Sequence, residues 1–203
     1  MSELKIIKFE DQYEQEWVAL RARVVARSKS WDFVERKKIQ YDNDSIELLL
    51  LDESKIIGYI DVEMESSPGK ICWNNHSIGG VVQEFGIDPK FQNNGYGKKL
   101  LKEIKSRLLE KNINRLELWT KDPKSALIYK HFKFEQIFIH QHYRKSLQEE
   151  EGLKELFSGL VSTSYGYFIS DDLSMTGDDF EPPLGAHLGI GFEWDFIKSK
   201  FLN

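Results

Sequence analysis

The spacing of apolar residues along the first half of the chain predicts a strand, a helix and a hairpin. Residues 4–9 alternate between apolar and polar positions, as in a short strand, and apolar residues then recur at the spacing of one helix face over residues 17–25. Two β-prone runs, 46–51 and 55–62, are joined by a short polar turn and indicate an antiparallel hairpin.

The second half of the pattern alternates strands with helices. We predict a strand over 80–88 that ends at Pro89, a helix from Gly97 to near Asn112, a strand around 116–118, a helix over 125–132 and a strand over 134–143. Residues 28–33 interrupt the first helix before a second short one. The predicted order is therefore a strand, two helices, and then β-β-β-α-β-α-β, in a fold of the α/β (α+β) class.

The composition changes near residue 146. Beyond it there are eleven carboxylates and three lysines, whereas the whole chain of 203 residues has a net charge of -5. Residues 149–160 have the pattern of a helix, and residues 171–183 resemble a long acidic loop between two strands. This acidity disfavours nucleic acid as a partner and favours a cationic one.

Several classes of protein are excluded by composition and pattern. The N-terminal residues have no signal-peptide pattern, and no apolar run approaches the roughly 20 residues that span a bilayer, so we expect a cytoplasmic protein without a membrane partner. The single cysteine, Cys72, permits no intramolecular disulfide, and we interpret it as a small apolar residue. His140 and His142 share a strand face but have no evident third ligand, so we expect no metal.

A glycine-rich loop stands where the strand over 80–88 gives way to the following helix. Its sequence is Gln92-Asn93-Asn94-Gly95-Tyr96-Gly97, followed by Lys98 and Lys99. A strand-to-helix loop presents backbone N–H groups at the positive end of the helix dipole, and glycines allow an anion to approach the backbone. Lysines at a helix start are unfavourable unless an anion is present, so the loop predicts a phosphate site. A plain glycine turn would explain the glycines but not the lysines.

Two commoner phosphate motifs fail on the residues. A dinucleotide fingerprint needs a third glycine where Leu100 stands, and a P-loop needs serine or threonine where Lys99 stands. The loop instead matches Gln/Arg-x-x-Gly-x-Gly/Ala, the signature of the GNAT superfamily, the Gcn5-related N-acetyltransferases. Residues 85–89 resemble the family's segment before that signature. Residues 122–134 resemble its Asn-x-x-x-Ala-x-x-x-Tyr-x-x-x-Gly-Phe segment, with Asp122 and Lys133 as departures.

The resemblance covers residues 3–145 and implies the fold and the cofactor. We expect residues 1–145 to form a GNAT acetyltransferase domain, and residues 146–203 to form an acidic C-terminal α/β extension packed on it. The resemblance implies a mixed, mostly antiparallel sheet flanked by helices, whose fourth and fifth strands splay apart to admit the pantetheine of acetyl-CoA. The backbone of Phe85, Gly86 and Ile87 and the loop residues 92–98 would bind this cosubstrate, together with Ser125.

At the reacting end, the resemblance aligns Tyr129 with the tyrosine that protonates or hydrogen-bonds the coenzyme A sulfur. Packing on a helix stripe is the other interpretation of Tyr129. The backbone N–H of Ile87 would donate a hydrogen bond to the carbonyl oxygen of the thioester. For the base we favour Glu84, whose pKa we expect Val82 and Gly86 to raise from the same strand face, over Asp88, which we expect to serve the turn. A solvated strand position remains the alternative for Glu84.

The acceptor is the least determined part. By family resemblance, the loop after the first helix lines the acceptor site, which places Trp31, Asp32 and Phe33 there, while packing under a helix corner is their alternative. If it folds over the site, the acidic tail favours a cationic small-molecule amine, such as an aminoglycoside-like antibiotic or a polyamine, while the alternative role of its carboxylates is only to keep the surface soluble. A protein N-terminal or lysine acetyltransferase, and an acyl-CoA-binding module without turnover, remain open, and a homodimer is plausible.

Overall fold

The computed structural model describes residues 4–26, 36–120, 122–146, 165–170 and 187–197. These residues form three α-helices and eight strands, and a short 3-10 turn, Asp11–Tyr13, precedes the first helix. The elements follow one another along the chain as β1 (Leu4–Lys8), α1 (Glu14–Val25), β2 (Ser45–Asp52), β3 (Lys55–Met64), β4 (Gly80–Ile87), α2 (Tyr96–Glu110), β5 (Arg115–Thr120), α3 (Pro123–His131), β6 (Glu135–Ser146), β7 (Tyr165–Ser170) and β8 (His187–Asp195). The predicted order is confirmed from β1 to β6, apart from the second helix predicted before β2.

Two predicted helices have different outcomes. We expected a second short helix after residue 33, and the described residues 36–44 contain no helix. The predicted helix over 149–160 lies outside the described residues, as does the acidic loop over 171–183, although β7 and β8 flank the region of that loop.

All eight strands belong to one mixed sheet with the order β1-β2-β3-β4-β5-β8-β6-β7. Every neighbouring pair is antiparallel except β4 and β5, which run parallel. The hairpin of β2 and β3 follows the prediction, with Asp52 opposite Lys55 at the turn. The sheet is therefore mostly antiparallel, as expected, with one parallel junction at its centre.

The C-terminal strand β8 lies inside the sheet, between β5 and β6. It pairs with β5 from Arg115–Asp195 to Thr120–Ile190, and on its other edge with β6. Residues from the acidic C-terminal part of the chain thus complete the central sheet. The division of the chain at residue 145 stays a prediction.

Helices cover the two faces of the sheet with separate cores. The larger core lies under α2, where Leu100, Leu101, Ile104 and Leu108 pack against Leu48 and other buried strand residues. The smaller core lies under α1, where Trp17 and Leu20 pack against the other face. The four consecutive leucines of β2 are buried because successive side chains of a strand point to opposite faces and both faces are covered.

The parallel junction between β4 and β5 is short. Only two residue pairs join the strands, Gly80–Leu116 and Val81–Glu117, although β4 continues for six more residues to Ile87. Beyond Val81 the two strands are not paired with each other, so the predicted splay is present and starts at this pair.

Candidate active site

The glycine loop has the backbone geometry of an anion site. Asn93 and Gly95 adopt φ of 63° and 74°, in the left-handed region that glycine and asparagine tolerate best. Gly95 is the N-cap of α2 and supplies no side-chain cap, and the first turn contains no acidic residue. A Cβ at Gly95 would meet nothing within 4 Å, so the conformation, and not packing, requires glycine here, and open space adjoins the backbone. Helix starts leave N–H groups without intrahelical acceptors, so the residues present fit a phosphate group.

Side chains within the loop fasten it to the end of β4. The Gln92 amide Nε2 donates to the carbonyl of Ile87 at 3.1 Å, and the Asn94 amide donates to the carbonyls of Phe91 and Gln92. Gln92 and Asn94 therefore shape the loop through these bonds.

Gly97 brings the start of α2 close to β4. A Cβ at this position would lie 3.2 Å from the ring of Phe85, which is tighter than an ordinary contact. Lys98 and Lys99 follow in the first helical turn, and the ring of Tyr96 lies 5.9 Å from the Lys99 ammonium. The loop, the first turn of α2 and the end of β4 are thus one local unit.

The edge of β4 that faces the splay carries backbone groups of Phe85 and Ile87. The N–H of Asp88 donates to Ile57 of β3, and successive N–H groups along a strand point to opposite edges. The N–H groups of Phe85 and Ile87 therefore point away from β3 and toward the gap. Gly86 between them is required by packing, because its Cβ would lie 2.7 Å from the Tyr59 hydroxyl.

A bulge in β4 changes the surroundings that the sequence suggested for Glu84. Asp61 pairs with Glu84 and Val62 pairs with Val82, so Gln83 stands opposite no residue in the register of β3, although its side-chain amide donates to Glu63. The extra residue reverses the alternation, and Val82 packs with the α2 core. The expectation that Val82 flanks Glu84 on one face was wrong for this reason.

Glu84 instead lies against α1. The Arg21 guanidinium donates to the Glu84 carboxylate at 2.8 Å, with side chains 11% and 13% exposed. The sequence gave no indication of this partner, because 63 residues separate the two positions. Glu84 is therefore a paired carboxylate on the α1 face of β4, and not a solvated strand residue.

Tyr129 lies on α3, half-buried against the larger core. Its ring centroid is 5.8 Å from that of Phe134 and 5.9 Å from that of Phe192 on β8. Burial, with a smaller contribution from the Asp122 carboxylate, raises the pKa of Tyr129 to about 12. The phenol is therefore protonated at neutral pH and can donate a proton or a hydrogen bond.

The two departures from the family segment have local structural roles. Asp122 is the N-cap of α3 and accepts hydrogen bonds from the N–H groups of Lys124 and Ser125 and from the Ser125 hydroxyl at 2.9 Å. The hydroxyl of Ser125, which we predicted to contact the cofactor, thus already donates its hydrogen bond to the N-cap residue. Lys133 adopts φ of 64°, the conformation that favours the glycine it replaces.

The weaker catalytic candidates have structural partners. Asp88 accepts from the Lys90 N–H and from Arg23, and although burial opposes ionisation, these bonds hold its pKa below the usual range. Asp88 therefore stabilises the turn that follows β4, as expected. Burial raises the pKa of the Cys72 thiol, so Cys72 remains protonated.

A buried polar cluster beside Glu84 was missed by sequence reasoning. Asp61, fully buried on β3, accepts from Lys38 at 2.7 Å and from the Tyr41 hydroxyl at 2.9 Å, and Lys38 also pairs with Glu47. Burial, only partly offset by Lys38, raises the pKa of Asp61 to about 6. An acidic residue in the middle of an apolar strand was the one available signal.

A pocket of about 160 Å³ opens where β4 and β5 begin to part, and sequence reasoning missed it too. It is lined by the last paired residues, Val81 and Glu117, and by three aromatic side chains, Trp73, Trp119 and Phe138. The segment between β3 and β4 supplies Trp73, whose ring lies 4.7 Å from that of Phe138. These residues are far apart in sequence and share no motif.

The predicted acceptor residues Trp31, Asp32 and Phe33 lie outside the described residues. Among those described, no group of three or more His, Cys, Asp or Glu side chains could hold a metal ion. No helix in the described ranges is long and apolar enough to cross a membrane.

The family follows from comparison with known proteins. The model of the acetyltransferase (GNAT) family matches residues 9–134, more than half of the chain, and the chain belongs to this family. No curated protein matches it in sequence.

Solved structures share the fold at low sequence identity. The ribosomal-protein-S18-alanine N-acetyltransferase of Escherichia coli is 13% identical with a TM-score of 0.58, and the match covers 99% of both chains. A GNAT family acetyltransferase of Elizabethkingia anophelis with acetyl-CoA bound is 15% identical with a TM-score of 0.53, over 95% of this chain and 97% of that one. The PaiA N-acetyltransferase of Thermoplasma acidophilum in complex with coenzyme A is 14% identical with a TM-score of 0.52, over 66% and 91%.

Proposed function

We propose that the protein is a cytoplasmic N-acetyltransferase that moves the acetyl group of acetyl-CoA to a primary amine of a cationic small molecule. The observation that carries this proposal is the gap between β4 and β5, which begins after the Val81–Glu117 pair and ends beside the glycine loop of α2. Structures of family members with coenzyme A or acetyl-CoA support this choice of donor.

Each end of the gap has the groups that the donor requires. The N-terminal N–H groups of α2, with Lys98 and Lys99 nearby, suit the pyrophosphate. The outward N–H groups of Phe85 and Ile87 would pair with the amide groups of pantetheine as an added strand would. No step depends on a side chain of Phe85 or Ile87.

When bound, acetyl-CoA supplies a thioester whose acetyl carbon bonds to the amine nitrogen as the carbon–sulfur bond breaks. Tyr129 would hold a proton for the sulfur, since its raised pKa keeps the phenol protonated. The N–H of Ile87 would stabilise negative charge on the acetyl oxygen. The amine must lose one proton, and Glu84, held by Arg21 on the α1 face, is our candidate to receive it.

A screen of primary amines with acetyl-CoA tests the proposal, with free thiol and product mass as the two readings. We expect an acetylated small amine and an equal amount of thiol. Thiol release with acetylation of peptide N-termini or lysines alone would favour a protein acceptor, such as the one named for the Escherichia coli structure. Tight binding of acetyl-CoA without any acetylated product would favour a binding module.

A variant in the glycine loop distinguishes donor binding from acceptor chemistry. Gly95→Ala forces an L side chain to φ near 74°, at a cost of roughly 1 kcal/mol, and places a methyl group in the open space beside the loop. We expect weaker acetyl-CoA binding in calorimetry. Gly69→Ala, at φ of 77° in the segment between β3 and β4, has the same backbone strain and in addition places a Cβ 2.7 Å from that of Asn75, so it should cost more stability than Gly95→Ala but leave acetyl-CoA binding unchanged.

A further inference from the structure

The pocket at the start of the splay has mostly apolar and aromatic walls, with one carboxylate, that of Glu117. Trp119 and Glu117 alternate on β5 with Leu116 and Leu118, which pack in the α2 core, so the former pair points to the opposite face. The segment between β3 and β4 crosses that face and brings Trp73 to the pocket. Trp73 and Trp119 are about half exposed, at 53% and 48%, so their rings are accessible at the pocket mouth.

A glycine on β8 makes room for Phe138, one of the aromatic side chains that line the pocket. Gly191 pairs with Trp119 on one side and with Phe138 on the other, so the three residues form a row across β5, β8 and β6. A Cβ at Gly191 would lie 2.1 Å from the Phe138 ring, which means that the ring lies directly over the glycine. The C-terminal part of the chain thereby allows Phe138 to reach the pocket.

Behind the aromatic rings lies an excess of buried negative charge. Arg115 is 1% exposed and forms ion pairs with three carboxylates, those of Glu65, Glu117 and Glu193. Among the described residues this cluster has a formal charge of -2, because one guanidinium meets three carboxylates. Backbone N–H groups of the segment between β3 and β4 satisfy Glu65 and lower its pKa despite burial, so this carboxylate is ionised.

The register of the sheet extends this charge along the pocket face. Glu193 is directly opposite Glu117 on β5 and Glu135 on β6, so three glutamates stand side by side on neighbouring strands. Directly opposed like charges destabilise a sheet, and Arg115 supplies only one compensating cation. A cation bound at the pocket would relieve this repulsion and would also contact the faces of two indole rings, as in cation–π binding.

The volume limits what accompanies the cation. A cavity of about 150 Å³ holds one benzene ring, and this pocket is about 160 Å³. Apart from Glu117, whose carboxylate already accepts from Arg115 and from the N–H groups of Trp73 and Asn74, its walls offer mostly apolar and aromatic surface. A highly hydroxylated polycation would leave its polar groups without partners there.

We propose that this pocket binds an organic ammonium group of the acceptor, with an apolar body about the size of one benzene ring, while a second amine of the acceptor, in its neutral form, attacks the thioester. The inference rests on the proposed function, because it deepens the acceptor class of the same site. Val81 precedes Glu84, the candidate base, on β4 by three residues, roughly 10 Å of extended strand, so the reacting amine and the bound ammonium group must lie about this far apart in the acceptor. The acceptor would approach from the Trp73 and Trp119 side, with its ammonium group over the acidic cluster.

Three probes of the full-length protein without acetyl-CoA test charge and shape separately. Benzylammonium has both features, benzyl alcohol has the ring without the charge, and methylammonium has the charge without the ring. In calorimetry at low salt we expect benzylammonium to bind at least about tenfold more tightly than either of the others. Equal binding of benzyl alcohol, or of methylammonium, would overturn the inference. Tighter binding of spermidine than of benzylammonium would also overturn it and would favour a polyamine.

Variants assign the binding to the pocket. Trp119→Leu should weaken benzylammonium binding about tenfold, and Glu135→Gln, which removes an exposed charge on the pocket face, should weaken it about twofold to threefold without affecting benzyl alcohol. Glu110→Gln, the same change at the end of α2, is the matched control and should leave binding unchanged. Unchanged benzylammonium binding in Trp119→Leu, with a normal unfolding transition, would refute the assignment.

The two proposals fail in different ways. Benzylammonium binding without any acetyl transfer would contradict the proposed function and leave the pocket assignment standing. Efficient acetylation of other amines, with no benzylammonium binding, would contradict the inference and leave the acetyltransferase standing.

Discussion

Arg21 on α1 donates a hydrogen bond to Glu84 on β4 at 2.8 Å, which ties the first helix to the strand that borders the splay. Both side chains are mostly buried, so the pair has lost much of its hydration and depends on its mutual attraction. The contact also fixes the direction of the Glu84 carboxylate, our candidate base. It links the stability of the α1 packing to the geometry of the proposed reaction.

Loss of the Arg21 partner should destabilise the fold. We expect Arg21→Met to reduce the free energy of unfolding by about 1 to 3 kcal/mol, because the Glu84 carboxylate would stay buried without its counterion. Urea unfolding measures the change. Arg107→Met breaks the Arg107–Glu103 pair on α2, whose side chains are about three times more exposed than those of Arg21 and Glu84, and should cost less than about 0.5 kcal/mol. Equal costs for both variants would contradict our interpretation of the Arg21–Glu84 pair.

Removal of the Tyr129 hydroxyl should slow turnover without unfolding the protein. Tyr129→Phe keeps the ring contacts with Phe134 and Phe192. We expect kcat to fall by about 10²-fold while the KM for acetyl-CoA changes little, because proton donation acts in the transition state. Steady-state kinetics checks this, with Tyr13→Phe near α1 as the control. Unchanged kcat would leave Tyr129 with a packing role only.

Asp61 should make stability fall as pH rises from about 4 to 6. Its folded pKa of about 6 lies above the ordinary value of 3.8, so in this window the folded protein holds a proton that the unfolded chain has lost. The stabilisation that this proton provides is fully present below the pKa of Asp61 in the unfolded chain, and it is lost as the pH rises through the pKa of Asp61 in the folded protein.

The Asp61→Asn variant isolates this contribution from the other titrating groups. This variant has no titrating group at position 61, so the difference in unfolding free energy between the two proteins should change by roughly 2 to 3 kcal/mol across the window. Unfolding at several pH values provides the measurement. A pH-independent difference would refute the raised pKa.

A change at Lys133 should stabilise the protein. This residue has φ of 64°, which costs an L residue about 1 kcal/mol relative to glycine. Lys133→Gly should therefore raise the free energy of unfolding by several tenths of a kcal/mol to about 1 kcal/mol. Lys130→Gly, in the last turn of α3, should instead lower it by a similar amount. Thermal unfolding of the two variants should shift in opposite directions.

Local patterns in the sequence determined the elements and the donor side of the site. The alternation of residues 4–9, the hairpin turn at residues 52–54 and the apolar stripe of α2 each depend on neighbours within a few positions, so they can be read from the chain directly. The loop around Gly95 could be predicted for the same reason. Its left-handed φ and its place at a helix start are local properties.

Only the tertiary structure decided the partners of distant residues. The Arg21–Glu84 pair, the burial of Asp61 and the row of Trp119, Gly191 and Phe138 all join elements that are far apart in sequence. The position of β8 between β5 and β6 depends on which edges pair, and one bulge at Gln83 changed which side chains face α1. The sequence by itself therefore determined where a phosphate group is expected, and long-range packing determined which side chains surround Glu84 and the pocket at the start of the splay.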